Sequence, residues 1–155
     1  NKIKEDKKTN IPLLLKISPD IKDNYISEIV KVSINNNISA IILTNTTEGN
    51  RDSLVSKIKK EEGGLSGEPL EKISTNMIKK FYKELNGKIP IIGVGGVNSG
   101  KTAYEKILAG ASLLQLYTSF VYRGPSTAKK IKKELIEILK AEGINNIQEA
   151  VGKNI

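Results

Sequence analysis

Residues 89–96 read IPIIGVGG, and the architecture of this 155-residue chain can be inferred outward from them. A short run of β-branched residues is typical of a buried strand, and the closing glycines allow a tight turn into the next segment. That segment, residues 99–109, has its apolar side chains on one helical face: Ala103, Ile107 and Leu108. Gly110 then ends the helix as a C-cap residue does. The pattern predicts one strand–helix unit of a parallel sheet.

The same pattern of an apolar strand followed by an amphipathic helix occurs three more times. The strands are predicted at residues 11–17, 40–45 and 113–117, and the helices at 22–36, 71–86 and 125–142, with a short last helix at 146–151. Residues 18–20, Ser-Pro-Asp, are expected to supply the turn and the N-cap of the first helix. A complete eight-stranded βα barrel takes about 250 residues, so this chain is too short to form one. Four such units therefore fit either a small, open, doubly wound sheet or half of a barrel.

The composition excludes several classes of site. The chain contains no cysteine and no histidine, which excludes disulfides, thiolate metal sites, cysteine nucleophiles, Ser–His pairs and zinc triads. Its net charge of +8 comes from 25 basic and 17 acidic residues, but only Arg51 and Arg123 are arginines. Since arginine is the preferred reader of guanine and phosphate, no nucleic-acid partner is expected. No apolar run is long enough for a transmembrane helix or a signal peptide.

The carboxyl ends of the strands are the expected ligand site, because both candidate architectures bind ligands there. Those ends hold a lysine, polar side chains and glycines: Lys16, Thr44, Asn45, Thr46, Gly95, Gly96, Tyr117 and Thr118. A lysine there would place a fixed cation at the mouth of the sheet, and glycines can offer backbone N–H groups to a phosphate. Each residue type also occurs in ordinary turns, but four such strand ends in succession favour a binding site. No acidic pair accompanies them, so neither a metal site nor paired-carboxylate chemistry is expected, and a cofactor is expected to supply the reactivity.

A long polar loop, residues 46–69, follows the second predicted strand. A loop of this length inside a compact unit is usually functional or disordered. Its run at 63–67, Gly-Gly-Leu-Ser-Gly, can act as a hinge or as a backbone cradle for a ligand. The charged tip, residues 48–62, is expected to face solvent and to be mobile.

Five motifs, in their order and spacing, resemble the carboxyl-terminal half of the class 2, quinone-dependent dihydroorotate dehydrogenases. They are LKISPD at 15–20, TNTT at 44–47, GGLSGEPL at 63–70, IIGVGGV at 91–97 and AGASLLQLYT at 109–118. The resemblance covers residues 12–152. It implies that the parallel βα units form the second half of a TIM (β/α)8 barrel.

The resemblance implies an oxidoreductase that uses flavin mononucleotide (FMN) to oxidise dihydroorotate to orotate in pyrimidine biosynthesis and passes the electrons to a ubiquinone-type acceptor. Lys16 and Thr44 would contact the flavin ring, where a fixed positive charge favours the reduced anion. Asn45 and Thr46 would hydrogen-bond orotate. The remaining residues would bind the cofactor, chiefly its phosphate through backbone N–H groups: Gly67, Gly95, Gly96, Tyr117 and Thr118. The glycine run at 63–67 would fold back over the cofactor.

The resemblance also implies what the sequence does not contain. In the family, the serine that acts as general base, further asparagines that hold orotate and the quinone-tunnel helices all precede this segment. Ser18, Ser66 and Ser99 belong to other motifs, so no catalytic residue is assigned, and the chain alone is not expected to turn over dihydroorotate. Because the sequence starts at Asn1 without an initiator methionine, we expect a fragment or a chain that has lost an upstream segment.

As half of a barrel, the chain is expected to be one partial domain, residues 1–155, with a polar lead-in at 1–10 and the active-site loop at 46–69. Strands 11–17 and 113–117 would be unpaired edges, and the inner face would be apolar. We therefore expect a partner, either the missing amino-terminal half-barrel or a second copy of the chain. The resemblance implies attachment, through the absent amino-terminal segment, to the inner mitochondrial membrane of a eukaryote or the cytoplasmic membrane of a bacterium.

Two other functions stay open at this point. A phosphate-binding βα-barrel isomerase or lyase would use the same glycines and the same Tyr117-Thr118 pair. A flavodoxin-like, non-enzymatic binding module would suit the short length. Its helices would cover both faces of an open sheet, whereas half of a barrel carries helices on one face only.

Overall fold

Strands and helices alternate along the chain, as the sequence predicts. The computed structural model describes residues 11–49, 51–52 and 54–155, so the predicted lead-in at 1–10 lies outside the described residues. The strands are β1 (Leu14–Ile17), β2 (Ala40–Leu43), β3 (Ile91–Val94) and β4 (Ala111–Gln115). The helices are α1 (Ile26–Asn35), α2 (Glu71–Leu85), α3 (Gly100–Leu108), α4 (Thr118–Arg123) and α5 (Thr127–Ala141). Short 3-10 turns lie at Asp23–Tyr25, Glu68–Leu70 and Ile147–Ala150.

The four strands form one parallel sheet in the order β1-β2-β3-β4. β1 and β4 are its edges, which confirms the prediction from the sequence. The register aligns Lys16 with Ile42, Ile42 with Ile92 and Ile92 with Leu113. Because parallel strands all end on the same side, the polar residues that follow each strand are brought to one edge of the sheet.

The helices cover one face of this sheet. On that face Ile41, Leu43 and Ile91 pack with buried residues of α1 and α2, including Ile78 and Phe81, into the main hydrophobic cluster. The alternate strand positions point to the other face, where Leu14 is 43% exposed and Leu113 is 62% exposed. Helices on one face are expected of half a barrel, whereas a doubly wound sheet would be covered on both, and the flavodoxin-like module is therefore not favoured.

Two local predictions were wrong. β4 spans Ala111–Gln115 rather than residues 113–117, so Leu116 and Tyr117 lie beyond the strand. The segment from Thr118, which lies between a predicted strand and a predicted helix, forms the short helix α4. Its six residues are too few to show a helical period in the sequence, which is why hydrophobic spacing did not find it.

The predicted N-cap at residues 18–20 was also wrong. The 3-10 turn that precedes α1 begins after Lys22, which gives no side-chain cap. The Asp20 carboxylate instead accepts hydrogen bonds from the Thr47 hydroxyl at 2.5 Å and from the Glu48 N–H at 2.9 Å. Asp20 therefore fixes the base of the long loop rather than a helix end.

The predicted end of α3 is confirmed at Gly110, whose φ of 113° favours glycine. A Cβ on Gly110 would lie 2.3 Å from the ring of Tyr82. The start of α3 is fixed by a capping box between Ser99 and Thr102. Among the helices of the described segments, none has the length and apolar character needed to cross a lipid bilayer.

Candidate functional site

A cleft of about 280 Å³ lies at the carboxyl ends of the four strands. It is close to the lower limit of the size range for small-molecule sites, about 300–1,000 Å³. The structure brings to it every residue that the sequence singles out: Lys16, Thr44, Asn45, Thr46, Gly67, Gly95, Gly96, Tyr117 and Thr118. Five segments far apart in the chain thus converge on one concave surface.

Thr44 forms the buried floor of the cleft at the end of β2. Its N–H donates to the carbonyl of Val94 at 3.0 Å, and the N–H of Asn45 donates to the carbonyl of Ile17 at 2.8 Å. These bonds hold the strand end between β3 and β1. The Thr44 side chain is 2% exposed, yet its hydroxyl has no hydrogen-bond partner among the described residues. A buried hydroxyl without a partner is unfavourable, so Thr44 Oγ1 is suited to a polar atom of a ligand.

The glycine pair after β3 lies directly against the first turn of α2. Gly95 and Gly96 have φ values of 114° and 71°, in the region that favours glycine. A Cβ on Gly96 would lie 2.5 Å from the Cβ of Glu71, and one on Gly95 would lie 3.1 Å from the Cβ of Ser74. A side chain is therefore excluded at Gly96 and strained at Gly95, and the two glycines leave bare backbone at this wall of the cleft.

The long loop is anchored at its base and across its span. Thr47 and Leu65 form an antiparallel bridge, with N–H to carbonyl distances of 3.1 and 2.7 Å. The Arg51 guanidinium donates to the carbonyls of Glu48 at 3.3 Å, Lys59 at 3.2 Å, Glu61 at 2.7 Å and Gly63. The described residues of the tip face solvent for the most part, as predicted, and Val55 is almost fully exposed. The hydrogen bonds of this one arginine thus connect four separate points of the loop.

The glycine run of this loop reaches the far side of the cleft. The Ser66 and Thr118 hydroxyls lie 2.9 Å apart, which joins the loop to the first residue of α4. A Cβ on Gly67 would lie 3.0 Å from Thr118 Cγ2, and one on Gly64 would lie 2.1 Å from Thr46 Oγ1. Both glycines allow the backbone to pass close to these threonines, so the loop borders the cleft on two sides.

Positive charge dominates the lining of the cleft. The Lys16 side chain forms no hydrogen bond or ion pair with any residue that the structure describes, so its ammonium is available to a ligand. Arg123 is the second cation of the lining, and its guanidinium donates to the carbonyl of Asn98 at 2.9 Å. Glu68 is the acidic residue of the lining. In residues 11–49, 51–52 and 54–155 no group of three acidic side chains is placed to hold a metal ion. The site is therefore suited to an anionic organic ligand.

Sequence reasoning missed several residues of the site. Ser66, Ser119 and Arg123 each tie one wall to another, with Ser119 Oγ donating to the carbonyl of Val97 at 2.6 Å. Ser66 lies inside a motif that the sequence had already marked, but α4, which holds the other two, was not predicted.

Lys106 was also missed. It is fully buried behind the glycine pair, and desolvation lowers its pKa to about 8, opposed by the carboxylates of Glu71 and Glu105. A signal existed, because Lys106 falls on the same helical face as Ala103 and Ile107.

Comparison with known proteins gives one consistent result. The family model described as dihydroorotate dehydrogenase matches residues 2–139. A mitochondrial dihydroorotate dehydrogenase (quinone) of Arabidopsis thaliana is 45% identical over 142 residues, covering 91% of this chain and 31% of that protein. A dihydroorotate dehydrogenase (quinone) of Trichodesmium erythraeum is 46% identical over 149 residues, covering 91% of this chain and 39% of that protein.

A solved structure agrees with these relatives. The ligand-free DHODH of Eimeria tenella superposes with a TM-score of 0.88 at 44% identity, covering 92% of this chain and 39% of that one. The chain thus spans less than half the length of the relatives that it matches, and its sheet corresponds to part of a larger barrel.

Proposed function

This chain belongs to the dihydroorotate dehydrogenase family, and from that premise we propose that it forms the second half of the barrel of a flavin-dependent, quinone-reducing dihydroorotate dehydrogenase. The observation that supports this most directly is the cleft, in which all five motifs of the family converge. Family membership implies a flavin cofactor, and we propose that the flavin is FMN.

The residues of the cleft fit a phosphorylated flavin. The Thr44 hydroxyl and the Lys16 ammonium have no partner among the described residues, and both suit the polar edge of a planar ring. The bare backbone at Gly95 and Gly96, beside Tyr117 and Thr118, suits a phosphate. When bound, the flavin supplies the hydride acceptor that no side chain of the chain can supply.

Asn45 and Thr46 are proposed to bind and orient the substrate. Both are exposed side chains that line the cleft next to the buried Thr44. An amide offers donors and an acceptor together, and a hydroxyl offers either, which matches the alternating N–H and C=O groups of dihydroorotate. Lys16 would add a fixed positive charge, which would stabilise the negative charge that develops in the site while the substrate is oxidised. The glycine run at 63–67 would exclude water from one side of the site.

The proton acceptor of the reaction is proposed to lie in the other half of the barrel. Ser66 is paired with Thr118, and Ser99 accepts the Thr102 N–H at 3.2 Å as a helix cap. Ser18 accepts the N–H of Asp20 at 3.2 Å. Each of these three serines is thus hydrogen-bonded within the chain, to a backbone N–H or to Thr118. The open face at Leu14 and Leu113 is proposed to pack against an amino-terminal half-barrel or, failing that, a second copy of the chain.

The electron acceptor and location follow only from the names of the relatives. Because those relatives are quinone enzymes, we propose a ubiquinone-type acceptor and association with the membrane that holds it. That membrane would be the inner mitochondrial membrane in a eukaryote or the cytoplasmic membrane in a bacterium. The attachment itself is proposed to be made outside this chain.

The test is spectroscopic and kinetic. The protein with its complete barrel is expected to be yellow, to release FMN on denaturation and to be bleached by dihydroorotate without oxygen. The isolated 155-residue chain is expected to give no dye reduction above buffer. A colourless complete protein, or one whose colour dihydroorotate leaves unchanged, would contradict the proposal. A phosphate-binding isomerase or lyase, the less favoured function, would bind a sugar phosphate without visible absorbance.

A further inference from the structure

Lys106 is a buried cation with no role in the function proposed above. It lies on α3 and is 0% exposed, which is rare for lysine because burial of an ammonium is costly unless its hydrogens are bonded. Its three hydrogens face three acceptors, all of them on the first turns of α2. They are the carbonyl of Glu71 at 3.2 Å, the Ser74 hydroxyl at 3.2 Å and the Thr75 hydroxyl at 3.0 Å. Each of the three ammonium hydrogens therefore has an acceptor within hydrogen-bond distance.

Two of these acceptors also contact the wall of the cleft. Ser74 Oγ donates to the carbonyl of Val94 at 2.5 Å, and Val94 also accepts the N–H of Thr44. Gly96 lies against Glu71 and Gly95 against Ser74, so close that neither glycine could hold a Cβ without displacement. Lys106 is therefore separated from the backbone of the cleft by a single layer of α2 residues.

We propose that Lys106 is a positioning residue of the anion end of this site, whose buried ammonium fixes the first turn of α2 beneath Gly95 and Gly96 and favours a phosphate bound there. The inference rests on the proposed function for the identity of the phosphate as that of FMN. A charge in the interior is weakly screened, so its field reaches the bare backbone that the phosphate would face.

The surroundings of Lys106 make its charge sensitive to pH. The carboxylates of Glu71 and Glu105 and the ammonium groups of Lys72 and Lys79 line the groove outside it, between α2 and α3. On the other side of α3, Glu134 of α5 accepts the N–H of Gly100 at the start of the helix. β3 and β4 contain no ionisable side chain. Since desolvation lowers the pKa of Lys106 to about 8, its charge would be lost in the mildly alkaline range in the absence of ligand.

A bound phosphate would favour the charged form of Lys106 and raise its pKa, so binding and protonation are linked. FMN would then bind with uptake of a proton near pH 8.5, and its affinity would fall as the pH rises. Riboflavin has the same ring without the phosphate, so its affinity would not depend on Lys106 in this way. This contrast separates an electrostatic role from a general loss of structure.

The experiment is a titration of FMN and of riboflavin into the flavin-free protein with its complete barrel, at pH 7 and pH 9.5. Lys106→Met is expected to weaken FMN binding about tenfold at pH 7, to leave riboflavin binding unchanged and to abolish the fall in FMN affinity at pH 9.5. Lys106→Arg keeps the charge and should retain FMN affinity at both pH values. Lys101→Met, an exposed lysine on the same helix, serves as the matched control.

The unmodified protein tests the proposal even where a Lys106 variant does not fold. Its proton uptake on binding FMN at pH 8.5, measured by calorimetry in buffers of different ionisation enthalpy, should exceed that on binding riboflavin. Equal uptake for the two ligands, or a parallel loss of both affinities in Lys106→Met, would overturn the role of Lys106. A protein that binds neither flavin would overturn the proposed function itself.

Discussion

The hydroxyl of Ser66 lies 2.9 Å from the hydroxyl of Thr118, although 52 residues separate them in the chain. This contact joins the long loop after β2 to the helix that follows β4. It encloses the cleft on the side where the backbone of Gly67 passes Thr118. Among the described residues no strand pairing links these two segments, so the hydroxyl pair contributes to the order of the site at this point.

Ser66→Ala is expected to weaken flavin binding without loss of fold. A hydrogen bond of this kind contributes about 1 kcal/mol, so the dissociation constant should rise roughly fivefold. Thr118→Val should have a similar effect, and the double variant should add little to either, because both remove the same bond. Fluorescence titration of FMN measures all three. Ser27→Ala, which removes an exposed bond to Glu84 far from the cleft, should leave the affinity unchanged.

Thr44→Val is expected to have opposite effects on the flavin-free protein and on ligand binding. Removing a buried hydroxyl without a partner should raise the free energy of unfolding by about 1 kcal/mol in the absence of flavin. It should also weaken flavin binding, because the proposed ligand contact is lost. Thr127→Val is the matched control, since Thr127 also holds a buried hydroxyl without a partner among the described residues but does not line the cleft. Equal loss of flavin affinity in both variants would contradict the assignment.

Gly96→Ala is expected to disrupt the anion end of the cleft. The new Cβ would lie 2.5 Å from Glu71 Cβ and 2.7 Å from Glu71 Cα, so the first turn of α2 would have to move. Gly87→Ala is the control, because Gly87 has a similar φ of 75° but nothing within 4 Å of the new Cβ. Both variants bear the backbone cost of about 1 kcal/mol, and the clash should add about 1–3 kcal/mol to Gly96→Ala alone. Urea unfolding and FMN titration measure the two effects.

Arg51→Ala is expected to loosen the long loop. The guanidinium bonds four carbonyls spread over residues 48–63, so the variant loses all four contacts at once. Cleavage by a lysine-specific protease at Lys57, Lys59 and Lys60 should accelerate several-fold, because the loop would open more often. Lys72→Ala, an exposed residue on α2, is the control. An unchanged cleavage rate would show that the loop is held by other contacts.

The sequence was sufficient for the sheet and for the location of the site. The alternation of strands and helices predicted the parallel sheet, and the resemblance to half of a barrel predicted its order, because a barrel places consecutive strands side by side. The converging residues followed from the rule that parallel strands end on one side. Whether the sheet was open or part of a barrel could not be decided from periodicity alone. The exposure of Leu113 and Leu14 on the face without helices resolved it.

What could not be predicted depends on contacts between distant segments. Aspartate is a common helix N-cap, so local sequence favours that role for Asp20. In the fold its carboxylate instead accepts the Thr47 hydroxyl and the Glu48 N–H of the long loop, which local sequence does not reveal. Arg51 lies in a polar stretch typical of a surface loop, yet in the fold its guanidinium donates to four carbonyls of that loop. Lys106 matched the apolar face of α3, yet its polar partners lie more than 30 residues earlier in the chain. In each case a polar side chain is satisfied by a partner that only the fold supplies.

The buried Lys106 also predicts an unusual dependence of stability on pH. Its pKa is lowered to about 8 in the folded chain, from an ordinary value of 10.5, so the unfolded state binds more protons between these two values. The free energy of unfolding should therefore rise with pH in this window, since deprotonation relieves the cost of burying the charge. Between pH 7.5 and 9.5 the rise from this group should be about 2 kcal/mol in the flavin-free protein.

Urea unfolding of the flavin-free protein at these two pH values measures the effect, with Lys106→Met as the comparison. The variant has no group to deprotonate at this position, so the pH-dependent rise should disappear while other contributions remain. The window stops at pH 9.5 because Tyr104, whose pKa is raised by burial and by the Glu142 carboxylate, contributes with the opposite sign above pH 10. Stability that changes equally with pH in both proteins would show that Lys106 stays charged throughout. Flavin affinity should move the other way, falling as stability rises, because the charge that destabilises the empty protein is the one that favours the phosphate.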